Sequence, residues 1–90
     1  MKSDANSKRK QWLVYLLRCR DGSFYTGITN DLSKRLPAHQ QGKASRYTRS
    51  RLPVRLVYVE SAANRSAATR RELMIKRMSQ SEKKKMSLGE

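Results

Sequence analysis

"LVYLLRCRDGSFYTGITNDLSKRLPAHQ", residues 13–40, decides how this chain folds. Residues 12–19 form a nearly continuous apolar run with Arg18 near its end. Such a run suits a strand buried on both faces, and hence the middle strand of a sheet. Arg20-Asp21-Gly22 is a turn signal, because Gly reaches positive φ without steric cost. Residues 23–29 return as a second strand rich in aromatic and β-branched side chains. Asn30 or Asp31 can cap a helix that runs to about residue 41, where Gly42 can end it. Pro37 inside that helix removes the hydrogen bond to the Ser33 carbonyl. It should kink or shorten the helix, at about 3 kcal/mol if unrelieved.

Hairpin register decides whether Tyr15 and Tyr25 can meet. A two-residue Asp-Gly loop would send them to opposite faces of the sheet. A three-residue loop, Arg20-Asp21-Gly22 with a left-handed Gly22, puts both on one face.

Outside this segment, residues 1–11 read as a disordered basic arm. Residues 43–53, "KASRYTRSRLP", are a basic loop enclosing Tyr47, and residues 54–60 a third strand. Asn64 or Ser66 can cap a second long helix reaching about residue 78. Ser81 can then cap a short, highly basic final helix. The expected unit is a single domain over residues 12–85, followed by a C-terminal tail at 86–90. Its order is β-β-α-β-α, with a third short helix after it. That defines an α+β domain: a three-stranded antiparallel sheet, first strand central, flanked by helices.

Composition limits what such a domain can do. Ninety residues suit one small core, expected to act as a monomer. Lys and Arg number 21 against 7 Asp and Glu, a net charge of +14. Self-repulsion of that size costs stability, and a polyanionic partner is the simplest reason to retain it. Nucleic acid leads, DNA ahead of RNA. A membrane surface is disfavoured, because no segment is a long apolar run or a strongly amphipathic basic helix. The first ten residues lack the apolar stretch of a signal peptide, so a cytoplasmic location is expected. One Cys permits no internal disulfide, and one Cys with one His cannot build a usual zinc site.

Phosphodiester chemistry requires an activated nucleophile, neutralised phosphate charge and usually a hard metal held by carboxylate. Few carboxylates are free for that task. Asp4 and Glu90 are terminal, Asp21 serves the turn, Asp31 is a cap, Glu60 ends a strand, and Glu82 sits beside three lysines. Glu72 remains, on one flank of the apolar face with Ala68, Ile75 and Ser79. It either serves a metal or pairs structurally with Arg71 or Lys76. Arg71 falls inside the same apolar stripe, which a clean amphipathic helix would not allow. Arg35 and His39, at i and i+4, share a helix face flanking Leu32 and Leu36. They can hold a phosphate and move a proton, or form a solvated basic face. Tyr15 and Tyr25 suit core packing as well as catalysis. For phosphate contact the basic candidates are Lys34, Arg46, Arg49, Arg51, Lys83, Lys84 and Lys85. Tyr47 either stacks on a base, borders the site or anchors its loop.

"LVY" at residues 13–15 and "YTG" at 25–27 resemble the two halves of the GIY-YIG endonuclease signature. Arg35, His39 and Glu72 stand where that family places its helix arginine, its His-or-Tyr position and its metal-binding glutamate. "YTGITNDLSKRL", "KASRYT" and "ATRRELMIKRMS" are similar, more narrowly, to the small stand-alone bacterial members. The resemblance spans about residues 12–84. It implies a sheet with flanking helices and hydrolysis of a phosphodiester using one Mg²⁺ or Mn²⁺ ion. Carried over, Tyr25 is the general base for the attacking water, and Tyr15 supports it through a hydroxyl network. Arg35 binds the scissile phosphate, His39 assists proton transfer or holds phosphate, and Glu72 ligates the metal. Leu13 and Thr26 replace a Gly and an Ile of the signatures. Ile28 and Thr29 stand where many members carry a lysine, and the asparagine that many place after the glutamate has no equivalent in "SQSEKKK". No second domain for target recognition is expected. Two functions follow: a metal-dependent endonuclease, or a nucleic-acid-binding module that keeps the fold with little activity.

Overall fold

The computed structural model describes residues 11–87. The expected basic arm, apart from Gln11, and residues 88–90 of the expected tail lie outside the described residues. The elements are β1 (Trp12–Arg18), β2 (Phe24–Thr29), α1 (Leu32–Gln40), α2 (Arg46–Arg49), β3 (Arg55–Ala62), α3 (Arg65–Lys76) and α4 (Gln80–Met86). The sheet is antiparallel in the order β2-β1-β3, so the apolar first strand is central.

The hairpin closes through a three-residue loop. Cys19 N–H donates to the Ser23 carbonyl at 2.8 Å, Gly22 N–H donates to the Cys19 carbonyl at 2.9 Å, and Gly22 has φ 85°. Asp21 Oδ1 accepts from Ser23 N–H at 3.0 Å and from Ser23 Oγ at 2.5 Å, which fixes the turn. The resulting register pairs Leu17 with Tyr25 and Tyr15 with Gly27. Both tyrosines therefore share one face, the outcome that the odd loop length requires.

That face carries Tyr15, Leu17 and Cys19 and packs against Leu32 and Leu36 of α1, with Leu52, Val54 and Leu56 closing the rim. The other face carries Val14, Leu16 and Phe24 and packs against Ala68 and Ile75 of α3 and Met86 of α4. A bulge between Leu16 and Leu17 skips Val57 in the β1–β3 ladder. Val57 and Tyr58 thereby both pack toward α3.

Some boundaries differ from those read in the sequence. The basic loop contains one helical turn, α2, whose N-cap Ser45 accepts from Thr48 N–H at 3.3 Å. Strand β3 extends to Ala62 because Ala62 pairs with Trp12. Helix α1 continues past Pro37 to Gln40, and Gly42 follows it with φ 76°. Asn64 caps α3, accepting from Ala67 N–H at 2.8 Å, and the helix stops at Lys76 rather than near residue 78. The cap of α4 is Ser79, not Ser81. Ser79 Oγ accepts from Glu82 N–H at 3.1 Å while Glu82 Oε1 accepts from Ser79 N–H at 2.8 Å, a reciprocal capping box. The ordered domain also runs past residue 85: Met86 is helical, and Ser87 is buried with its Oγ donating to the Lys84 carbonyl at 2.9 Å.

Arg71 occupies the apolar stripe because it has a partner there. Its Nε donates to Glu60 Oε2 at 2.7 Å and its Nη2 to Glu60 Oε1 at 3.2 Å. The Tyr58 hydroxyl donates to the same Glu60 Oε1. Burial pushes the Glu60 carboxyl upward, but the hydrogen bonds from Arg71 and Tyr58 outweigh it and hold the group below the ordinary carboxylate value. Glu60 is thus a structural anchor between β3 and α3.

Candidate active site

Tyr15 stands at the centre of the α1-covered face, and its hydroxyl meets His39 Nε2 at 2.8 Å. His39 Nδ1 in turn meets Thr48 Oγ1 at 2.9 Å, and Thr48 Oγ1 donates to the Ser45 carbonyl at 3.4 Å. Both ring nitrogens of His39 are thus engaged by hydroxyls, and a neutral imidazole donates at one nitrogen and accepts at the other. Burial first, and the charge of Arg35 second, hold the His39 pKa below its ordinary value. Burial first, then charge on Tyr25, raise the Tyr15 hydroxyl well above the ordinary phenol value. Arg35 pulls it down and Glu72 adds to the rise. Tyr15 therefore stays protonated and positioned. His39 is 1 % exposed with both ring nitrogens engaged, one of them by the Tyr15 hydroxyl.

Tyr25 lies edge-on to His39, with ring centroids 5.1 Å apart, and stacks on Tyr47 at 6.2 Å and 27°. Arg51 also lies over Tyr47, its guanidinium carbon 3.8 Å from the ring centroid. Tyr47 thus borders the site and anchors its loop. Its ring meets Tyr25 and Arg51 and is still 36 % exposed. Arg51, a candidate for phosphate contact, is engaged within the chain. Its Nε donates to Asp21 Oδ2 at 3.1 Å and its Nη1 to the Tyr47 carbonyl at 2.9 Å, tying the hairpin turn to α2.

Arg35 is exposed on α1. With Lys34 it borders a cleft of about 260 Å³ lined also by Thr29, Asn30, Asp31 and Ala38. Glu72 sits on α3, and its Oε2 lies 3.3 Å from Lys76 Nζ. A second cleft, of about 280 Å³, is lined by Phe24, Tyr25, Thr26, Tyr47, Lys76 and Lys83. Lys84 and Lys85 are exposed on α4, and Arg46 and Arg49 on α2.

Among the described residues, no three of His, Cys, Asp and Glu gather as a metal-binding group. One carboxylate, Glu72, borders the tyrosine cluster closely enough for its charge to act on Tyr15. A lone carboxylate fits a hard ion such as Mg²⁺, which keeps several waters and takes phosphate oxygens from substrate. It does not fit a protein-only zinc cage.

Two contributors escaped the sequence reading. Thr48 is fully buried and orients His39. Nothing in its local pattern marks it apart from its place in the "KASRYT" segment. Gly27 faces Tyr15 across the ladder, and only the "YTG" spelling pointed to it.

This sheet, with two tyrosines, a histidine and an arginine on one face and a glutamate bordering them, defines a nuclease-type domain. Residues 11–86 match the family model described as the GIY-YIG catalytic domain, and the chain belongs to that family. It is 47 % identical over 77 residues to a UPF0213 protein of Cupriavidus pinatubonensis, covering 86 % of each chain. It is likewise 47 % identical over 77 residues to a UPF0213 protein of Oceanobacillus iheyensis, covering 86 % of this chain and 90 % of that one. The solution NMR structure of a protein from E. faecalis superimposes with a TM-score of 0.59 at 36 % identity, covering 84 % of this chain and 81 % of the other. That of a UPF0213 protein from Bacillus halodurans gives 0.53 at 40 % identity, over 83 % and 80 %. No helix among the described residues is long and apolar enough to cross a membrane.

Proposed function

We propose that this chain is a metal-dependent endonuclease that hydrolyses phosphodiester bonds in nucleic acid, with DNA the favoured substrate. One observation carries this reading: the Tyr15 hydroxyl, fixed by His39 at 2.8 Å, lies within the electrostatic reach of Tyr25, Arg35 and Glu72 at once. As a phenolate, Tyr25 takes the proton of the attacking water, its ring held between His39 and Tyr47. Tyr15 stays protonated and orders the hydroxyl side of the site, with His39 and Thr48 as positioning residues behind it. Arg35 neutralises the scissile phosphate. Glu72 would hold the Mg²⁺ or Mn²⁺ ion, which when bound stabilises the leaving oxygen. A monomeric enzyme in the cytoplasm is the simplest form of this reading.

The test is a panel of labelled duplex, branched and single-stranded DNA and RNA, incubated with Mg²⁺, with Mn²⁺ or with EDTA. Metal-dependent nicking of any member, lost in EDTA, is the expected result. One observation favours the alternative of a binding module: Lys76 already neutralises Glu72 in the free protein. That alternative expects binding that is equal with metal and with EDTA, and no cleavage.

A further inference from the structure

Lys76 belongs to two places at once. Its ammonium lies 3.3 Å from Glu72 Oε2, and its side chain is 52 % exposed against 18 % for Glu72. It also lines the 280 Å³ cleft together with Tyr25, Thr26 and Lys83. The cleft wraps the edge strand β2, so it takes Tyr25 from one face of the sheet and Phe24 and Thr26 from the other. The Thr26 hydroxyl is buried and is without a hydrogen-bond partner among the described residues. A buried hydroxyl normally finds one. Two lysines lining a cleft beside the Tyr25 and Tyr47 rings suit a phosphate group.

We propose that Lys76 is an exchangeable counter-ion: it neutralises Glu72 in the free protein and passes to a substrate phosphate in the Tyr25–Thr26–Lys83 cleft when a divalent ion takes the carboxylate. The idea rests on Glu72 as the metal-holding residue. A carboxylate paired with an ammonium binds a cation less well, because the cation must displace a charge of its own sign. The displaced ammonium is more than half exposed on a flexible stem in the last turn of α3, so it can turn to the cleft without moving backbone. Phosphate in the cleft then draws Lys76 away from Glu72 and opens the carboxylate. Metal at Glu72 frees Lys76 for phosphate. By linkage the two ligands bind with positive coupling, of the same size in either order.

The experiment measures binding, not turnover. Mn²⁺ affinity of the free protein is read by electron paramagnetic resonance. Affinity for a labelled oligonucleotide is read by anisotropy in Ca²⁺ and in EDTA, and the ratio of the two affinities is the coupling. Lys76→Met keeps the apolar stem and removes the charge. It should tighten Mn²⁺ about 2–5-fold, the size of a partly exposed ion pair, and bring the coupling ratio toward one. Lys76→Arg should restore coupling. Tighter Mn²⁺ with an unchanged ratio would mean that Lys76 only screens Glu72, which overturns the exchange, as would no change in either quantity. Glu72→Gln separates this from the underlying reading. If it abolishes coupling while Lys76→Met alters nothing, the exchange alone fails. If it keeps the Mn²⁺ affinity and coupling of the unaltered protein, the metal assignment itself fails.

Discussion

Tyr15 and Gly27 lie directly opposite each other in the β1–β2 ladder, and the tyrosine ring fills the space that a side chain at 27 would take. A Cβ built on Gly27 would sit 2.5 Å from the Tyr15 hydroxyl oxygen and 2.6 Å from its ring carbon Cζ. The glycine of "YTG" is therefore a steric requirement of the tyrosine of "LVY". The two halves of the signature are one packed unit, joined across the strands and pinned by His39.

Gly27→Ala tests this. Alanine in place of a strand glycine ordinarily gains about 0.5–1 kcal/mol through reduced chain entropy. Here the ring end must move, and it cannot do so without losing its bond to His39 Nε2. Overpacking of about 1–3 kcal/mol outweighs the gain, so the variant should be less stable. A lower urea midpoint at unchanged slope is the expected reading. An equal or higher midpoint would mean that the Tyr15 ring has room to yield.

Protonation of His39 should destabilise the fold. Its folded pKa is depressed, by burial and then by Arg35, so the unfolded chain takes up the proton first as pH falls. Stability is complete above the ordinary imidazole value near 6.5 and declines as pH drops below it toward the lower folded value. His39 is the chain's one histidine, so the effect has a single source. Melting temperatures between about pH 7.5 and 5 should fall in the unaltered protein and stay flat in His39→Gln, whatever the absolute stability of that variant. A parallel decline in both would assign the effect to other groups.

Much of this architecture was legible because the decisive signals are local. The apolar run at residues 12–19 dictated a central strand, and the Arg20-Asp21-Gly22 loop set the parity that brings Tyr15 and Tyr25 together. The caps were less legible. Ser79 and Ser81 both stand at the start of the final helical segment, and only Ser79 has a glutamate three residues on, in "SQSE". Arg71 looked like an intrusion on the apolar face because its partner, Glu60, is eleven residues away on a strand. The contacts of Thr48 and Tyr47 depend on how a loop folds over α1, a long-range matter that no periodicity encodes.

Glu72→Gln should separate chemistry from stability. The carboxylate's one partner on the described surface, Lys76, is half exposed, so losing the ion pair should change stability by less than about 1 kcal/mol. If Glu72 holds the metal, nicking should fall by orders of magnitude while DNA affinity holds or rises as a negative charge leaves. Melts and nicking assays at a temperature where both proteins are folded decide the matter. Full cleavage by a folded variant would remove Glu72 from the metal.

Arg71→Met should do the opposite. It strips two charge-assisted hydrogen bonds from Glu60, at 2.7 and 3.2 Å, and leaves a partly buried carboxylate with Tyr58 as its remaining donor. A loss of about 1.5–3 kcal/mol is expected. Specific activity per folded molecule should be unchanged, because Glu60 and Tyr58 face α3 rather than the tyrosine cluster. An activity loss that exceeds the folded fraction would place this trio in the site.

Salt dependence should sort the basic residues by role. A phosphate contact that releases a counterion contributes about 0.9 to the slope of log affinity against log salt concentration on duplex DNA. Lys84 and Lys85 are exposed on α4, so replacing both with alanine should flatten that slope by nearly 2 if each meets a phosphate. Lys83 lines the cleft, and its removal should act on affinity in the same way. Arg51 carries the same charge but is committed to Asp21 and to the face of Tyr47. Arg51→Ala should leave the slope near its original value and instead cost about 1 kcal/mol of stability, through the lost ion pair and cation–π contact. Anisotropy titrations from about 50 to 200 mM salt, with a melt on each variant, read both quantities. If Arg51→Ala flattens the slope as much as each lysine does while its melt is unchanged, its guanidinium leaves Tyr47 for DNA, and the loop opens when substrate binds.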